Sequence, residues 1–319
     1  MFAARKGPSR FPFMAFKEKL FKACHEKNAI QRYISRRFLF DLFQAVGFHV
    51  TGDHFYEVVP NTLLISKKYS AAARALPGID WRPVECENHA RDLVRRFGSE
   101  FRERSGRFGF REKNHYFRGA DALMLYLVLR DVKPAKFVEV GQGFSTRIAL
   151  AALERNAEET GIRPQFVSID PYPRFQPNDV PPVISLELIR SELQNVPAAP
   201  LLQDCSFLFV DSSHVLKFGS DVAFELTNLY PQLAPGALLH IHDVFSPYDY
   251  PRDWMVKEKL FWNEQYALEC FLMFNPTFEV FLPVHSLLRD SVPLAEALRG
   301  LNLDEEFEFA GSSFYLRRK

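Results

Sequence analysis

From about Gly106 onward the chain alternates short, wholly apolar runs with longer segments of helical period. ADALMLYLVLR (120–130) is apolar on nearly every face and predicts a buried helix closed by the Lys133–Pro134 pair, because the residue before proline disfavours the helical backbone. KFVEV (136–140) predicts a strand, and STRIALAALERNAEET (145–160) a helix of strong helix formers opened by Ser145 and Thr146. QFVSID (165–170), SFLFVD (206–211) and ALLHIHDV (237–244) read as further strands, the last two separated by the helical DVAFELTNLYPQL and the Pro235–Gly236 turn. Short apolar strands alternating with helices imply a parallel sheet covered on both faces, a doubly wound α/β fold whose ligands bind beyond the carboxyl ends of the strands.

Upstream the rhythm differs. Phe13, Phe16, Leu20 and Cys24 recur at helical spacing, and a charge-rich helical stretch is expected around Cys86 to Arg104. Between them GFHVTGDHFYEVVPNTLLIS (47–66) reads as short β-like pieces broken by Gly and Pro. Two parts are therefore expected: an accessory region of helical and β character over 1–105, and a nucleotide-binding domain over 106–319.

Composition narrows the class. At 47% hydrophobic and 25% charged residues, the chain is of ordinary globular type, and its net charge of +1 gives no whole-chain field to draw nucleic acid. The first forty residues carry ten Lys and Arg against two Glu, so the helix expected around Phe13 to Cys24 has a basic outer face and is read as packing on the main body or on a second copy, a route to homo-oligomers. The four cysteines form no C-x-x-C pair, there is no apolar run long enough for a membrane span, and Lys17, Glu18 and Lys19 interrupt any signal-like apolar stretch. A cytoplasmic location is expected.

Candidate chemistry collects at the predicted strand ends. In FVEVGQGFST (137–146) a strand runs into Gly141 and Gly143 and a helix follows at once, the backbone arrangement that lets a ligand approach closely. The hydroxyls of Ser145 and Thr146 and the free N–H groups of the helix start suit a carboxylate or phosphate. Glu139 places a negative charge before the first glycine, and Thr146 stands where a dinucleotide site needs a third glycine. Asp170 ends the second predicted strand, placed to accept hydrogen bonds from both ribose hydroxyls. The combination favours a nucleoside carrying a cationic tail over one carrying a pyrophosphate.

These residues resemble the nucleotide-binding motif of class I S-adenosylmethionine-dependent methyltransferases. FLFVDSSHV (207–215), GSDV (219–222), LHIHDVF-x-PYDYP (239–251) and WNEQYALECFL (262–272) are similar to the methyltransferase-24 type, a bacterial branch often encoded with sugar or cell-surface functions. The likeness extends to HFYEVVP (54–60), NHYFRGADALMLY (114–126) and the closing GSSFYLRR (311–318). It implies a seven-stranded Rossmann-like sheet whose last strand is antiparallel, and transfer of a sulfonium methyl group. Glu139, Gly141 and Gly143 would line the methionine portion of S-adenosylmethionine and Asp170 would hold its ribose, with Ser145, Thr146 and Asp211 completing the cofactor set.

Methyl transfer to a hydroxyl requires alignment, exclusion of water and removal of a proton. His214, in Asp211-Ser-Ser-His214, is one base candidate, and His242 and Asp243 are the others; strand alternation sets His240 and His242 on one face and Asp243 on the other unless the strand has ended. Tyr248, Asp249, Tyr250 and Trp254 suggest an aromatic wall for a sugar-like acceptor, completed from upstream by His54, Tyr56 and Asn114. Some small-molecule O-methyltransferases bind magnesium between an Asp after strand four and an acidic pair after strand five. Here His242 replaces one of those acids, which disfavours magnesium and leaves manganese, iron or zinc as the better-suited ions. The expected activity is O-methylation of a small polar acceptor such as a sugar or glycolipid headgroup. Two competing readings are an NAD(P)-dependent oxidoreductase on the same kind of sheet and a non-catalytic nucleotide-binding scaffold.

Overall fold

The computed structural model describes residues 39–53 and 56–319. Of the described residues, those up to 69 cluster with 251–261 as one unit, and residues 70–250 with 262–319 as another. The predicted basic helix around Phe13 to Cys24 and the candidate His54 lie outside the described residues.

The smaller unit contains helices α1 (Phe40–Gln44) and α2 (Thr62–Lys68). Among its described residues no strand forms, which corrects the β-like reading of 47–66. The physical reason is local: the Asn61 side chain accepts hydrogen bonds from the N–H groups of Leu63 and Leu64, so the polar residue after Pro60 opens a helix instead of ending a strand. Tyr56, proposed above as part of the acceptor wall, is exposed in this unit. Trp254 also falls here, in a π-type turn over Trp254–Glu258.

In the larger unit the chain runs α3 (Pro83–Arg104), α4 (Gly119–Val132), β1 (Lys136–Val140), α5 (Phe144–Thr160), β2 (Gln165–Ile169), β3 (Ser185–Ile189), α6 (Ala198–Leu202), β4 (Phe207–Val210), α7 (Asp221–Phe224), β5 (Leu238–Ile241), α8 (Glu264–Leu272), β6 (Phe278–Pro283), α9 (Val284–Asp290), α10 (Val292–Arg299) and β7 (Phe314–Arg318). The long helix α3, assigned by sequence to the N-terminal region, packs on α4 within this unit. Helix α4 stops at Lys133 in the left-handed conformation just before Pro134, and α5 stops at Gly161, whose φ is +71°. Among the described residues no helix is long and apolar enough to cross a membrane.

The seven strands form one sheet in the order β3-β2-β1-β4-β5-β7-β6. All pairs are parallel except those of β7, which runs antiparallel to both β5 and β6. Strands β1, β4 and β5 are buried along their whole length, which is why their sequences show no polar alternation. From β1 the chain winds outward through β2 and β3, then returns to lay β4 and β5 on the other side. The direction of winding therefore reverses between β1 and β4, where a crevice opens above the strand tips.

The register sets the site. Val140 pairs with Val210, and Val210 with Ile241. The next residues, Gly141, Asp211 and His242, consequently stand in one row. The N–H of Asp211 donates to the Val140 carbonyl and that of His242 to the Val210 carbonyl, both at 3.0 Å, while Gly141 donates to Ile169.

Candidate active site at the strand tips

A cavity of about 560 Å³ opens at this crevice, lined by Gly141, Asp170, Glu192, Gln194, Asp211, Ser213, Lys217 and Asp221 among others. Its size lies within the range of small-molecule sites, about 300–1,000 Å³. Gly141 has φ +85°, and a Cβ built there would lie 2.2 Å from the Asp211 carbonyl oxygen, so only glycine lets β1 turn beneath β4. Asp170 accepts hydrogen bonds from the backbone N–H of Gln142 at 2.8 Å and of Tyr172 at 2.6 Å. That fixes its carboxylate at the cavity wall, with lone pairs left for a ligand.

Four carboxylates (Asp170, Glu192, Asp211 and Asp221) line the cavity against one lysine, Lys217. This balance opposes a pyrophosphate and favours a cationic nucleoside. The sequence reading reached the same charge argument through Glu139, and there the structure corrects it. Glu139 is completely buried and does not line the cavity. Ser145 donates to its carboxylate at 3.1 Å, Thr146 at 3.0 Å and Ser168 at 3.2 Å. The Ser145 and Thr146 hydroxyls are thus spent on Glu139, and Thr146 also accepts from the Gly143 N–H at 3.0 Å. These three side chains build the β1–α5 turn. Gly143 is partly exposed at that turn, with open space on its Cβ side, and is not among the lining residues.

Burial outweighs the three hydroxyl donors and raises the Glu139 carboxyl to about 8. A folded-state value above the unfolded one contributes stability that is complete at acid pH and lost as pH climbs through about 4.5 to 8. Glu139→Gln should therefore melt close to wild type at acid pH and gain on it progressively between about pH 4.5 and 8, levelling off beyond. Melting curves that stay parallel across the range would contradict this.

Beside the cavity, and sharing Asp211 with it, lies a cluster of imidazoles and carboxylates. His214 Nε2 is 3.3 Å from Asp211 Oδ1 and 3.7 Å from Asp243 Oδ2, and its Nδ1 is 2.8 Å from Glu264 Oε2. The Trp262 ring packs against it at 4.3 Å. His242 Nδ1 lies 3.4 Å from Asp211 Oδ1 and 3.6 Å from Asp243 Oδ2, while its Nε2 is 3.5 Å from Asp121 Oδ2. Ser312 Oγ donates to Asp243 Oδ1 at 2.8 Å. The three predicted catalytic residues are thus brought together. Strand β5 ends at Ile241, and Asp243 takes a φ of +58°, so simple alternation does not extend to it. His214 likewise has φ +60°, and two non-glycine residues in the left-handed region mark locally costly backbone. His240 lies deep in the core, its ring stacked on Tyr315 at 4.0 Å.

Charge coupling is strong. Burial alone would lower both His214 and His242, but the facing carboxylates push both well above the ordinary imidazole range. Burial would raise Asp211, but His242 and His214 hold it well below the usual carboxylate range. Asp243 is raised, burial outweighing the same imidazoles. Asp211, His214 and Asp243 bring their ligand atoms within 4.8 Å of one another, a spacing at which a divalent ion must be considered.

Of the predicted acceptor wall, much is packing. The Asn114 side chain donates to the Arg111 and Phe117 carbonyls and accepts from the N–H groups of Tyr116 and Phe117, which saturates its amide within its own loop and removes it as an acceptor ligand. Tyr250 is almost completely buried, its hydroxyl accepting from the Gln265 N–H, and is likewise core. Tyr248 donates to Asp290 at 2.8 Å beneath the Arg289 guanidinium.

Residues the sequence reading missed include Glu192 and Gln194 on the cavity wall. Both follow β3, whose short SLELI segment carries strand-like alternation but no motif that points to a site. Asp121 was hidden in an apolar helix, and Ser312 just before a strand; neither carries a local signal.

A methyltransferase-24 family model, described as a methyltransferase domain, matches residues 138–244, the segment from β1 to just beyond β5. No curated protein sequence matches the chain. Among solved structures, the chain is similar to the S-adenosylhomocysteine-bound Podospora anserina methyltransferase PaMTH1 at 15% identity, over 81% of this chain and 93% of that one, with a TM-score of 0.36. It is also similar to the plantazolicin methyltransferase BpumL in complex with SAH (14% identity, 75% and 98% covered, TM-score 0.38). A third is MycE from the mycinamycin biosynthetic pathway, in complex with Mg, SAH and mycinamycin VI (16% identity, 68% and 53% covered, TM-score 0.36). The family match spans the strands whose tips form the switch-point crevice and its acidic wall. Residues 138–244 form a methyltransferase domain.

Proposed function

We propose that this enzyme methylates a hydroxyl of a small polar acceptor, with a sugar or glycolipid headgroup as the favoured class. The observation that carries this reading is the shared Asp211. It lines the acidic cofactor cavity on one side and faces the His214, His242 and Asp243 cluster on the other. A hydroxyl placed at that junction lies next to a proton-accepting group and to the carbon being transferred.

S-adenosylmethionine supplies a methyl group activated by positive sulfur. The chain's own residues then have three tasks. Gly141 and Asp170 seat the nucleoside, and the carboxylates of the wall favour its cationic tail. Asp243 takes the hydroxyl proton, because burial has brought its carboxyl toward the range where a base works near neutrality. His214, held from behind by Glu264, keeps its Nε2 between Asp211 and Asp243 and orients the two carboxylates. Tyr248, buried but less enclosed than Tyr250, is the remaining wall candidate for the acceptor in the larger unit.

Calorimetry with S-adenosylhomocysteine tests the cofactor assignment. Asp170→Ala should weaken binding by about tenfold to a hundredfold, since it removes ribose contacts and frees the Gln142 and Tyr172 amides. Equal affinity in variant and wild type would remove Asp170 from the site.

A further inference from the structure

A second cavity, of about 250 Å³, lies at the end of the edge strand β6 and shares no lining residue with the cofactor cavity. Trp81, Pro247, Pro283 and Leu287 give it an apolar wall, and the carboxylates of Glu87 and Asp290 stand beside them. All of its lining residues belong to the larger unit. It is smaller than the about 300–1,000 Å³ of most small-molecule sites, with room for one substituted ring and not for a nucleoside.

The wall is held in place from behind. The Trp81 ring stands edge-on to Phe314 at 6.1 Å. Between Trp81 and the start of α3, Arg82 takes a φ of +46°, a costly backbone for a residue with a side chain. The Pro247 carbonyl accepts the Arg74 N–H at 2.9 Å, while Pro283, at the end of β6, and Leu287, in α9, are buried.

Charge at this cavity has one sign. Among the described residues no lysine or arginine lines it. The two arginines next to its lining residues in the chain are engaged elsewhere. Arg82 pairs with Glu279 at 2.6 Å, and Arg289 lies over the Tyr248 ring at 4.3 Å and donates to the Ala71 carbonyl. Glu87 meets Arg91 at 3.8 Å, a loose approach. Asp290 accepts the Tyr248 hydroxyl at 2.8 Å, which leaves most of a carboxylate's lone pairs for another donor. An anion in the cavity would face both carboxylates, and a neutral ring would leave them unanswered. An organic cation is drawn to both carboxylates and to the face of an indole.

We propose that this cavity is a binding site for an organic ammonium ion attached to a single ring. The ring packs on Trp81 and the prolines, and the ammonium group is directed to Asp290 and Glu87. The site is separate from the cofactor crevice and from the proposed acceptor junction, and it stands whether or not the methylated atom is a hydroxyl oxygen.

The test uses the full-length, nitrogen-15-labelled protein saturated with S-adenosylhomocysteine, so that the acidic cofactor cavity is filled. The indole N–H signal of Trp81 is identified by its loss in Trp81→Phe. Three probes of matched shape are titrated: 2-phenylethylammonium, 2-phenylethanol and 3-phenylpropionate. The ammonium probe should move the Trp81 signal saturably, and the alcohol should bind about tenfold more weakly, having lost both charge pairs and the cation–ring attraction. The carboxylate should not bind. Glu87→Gln with Asp290→Asn keeps the shape of the cavity and should weaken the ammonium probe by about tenfold while leaving the alcohol unchanged. Three results would overturn the proposal: a Trp81 signal that the ammonium probe does not move, equal affinity for all three probes, or undiminished ammonium binding in the double variant. Ammonium binding seen without S-adenosylhomocysteine and abolished by it would also overturn it, by placing the cation in the cofactor cavity. Should the double variant fail to fold, the order of the three probes on the wild type decides alone.

Discussion

Gly141→Ala should abolish cofactor binding and lower the melting temperature markedly. The left-handed backbone at this residue, φ +85°, costs an alanine about 1–2 kcal/mol before any contact is counted. Its methyl carbon would then lie 2.2 Å from the Asp211 carbonyl oxygen, an overlap with backbone that no side-chain rotation relieves. Either β1 must draw away from β4 or the turn must open, and both displace Asp211 from the cavity wall. A total cost of at least about 2–4 kcal/mol is expected, with affinity for S-adenosylhomocysteine falling more than about a hundredfold. Calorimetry and thermal melting of the variant check both parts. The same substitution at Gly143, where the Cβ side is open and φ is −165°, should be far milder. If the two variants behaved alike, the close approach at Gly141 would not be what shapes the pocket.

The second large effect concerns turnover. Asp243→Asn removes the proposed proton acceptor while keeping its size and its bond from Ser312, and His214→Ala empties the space between Asp211 and Glu264. Each should lower methyl release on hydroxyl-bearing acceptors by about 10²–10⁴-fold, the usual contribution of a positioned base. Affinity for S-adenosylhomocysteine should change little, because neither side chain lines the cofactor cavity. The measurement is methyl release across a panel of sugars and other hydroxyl compounds, paired with calorimetry on the same preparations. Undiminished turnover in both variants would refute the assignment of the base and leave methyl transfer itself standing.

The local pattern of the chain was enough to determine the class of fold. β1, β2, β4 and β5 each announce themselves as apolar runs bounded by turns, because central parallel strands bury both faces and need no polar alternation. Gly141 and Asp170 were legible for a related reason, since a strand-to-helix turn and a strand-end carboxylate leave marks in adjacent residues. Tertiary structure alone decided which polar groups line the cavity. Glu139, Ser145 and Thr146 look like ligand groups in sequence, yet they satisfy one another once β1 and α5 pack, because a buried carboxylate must find donors wherever they are nearest. Asp121, Ser312 and Glu264 come from α4, the approach to β7 and the start of α8, far apart along the chain, and meet His242, Asp243 and His214 only when the sheet closes. Residue type and spacing can place a group at the end of a strand. Whether that group meets solvent, substrate or another charge depends on contacts made across long stretches of chain, which no local pattern encodes.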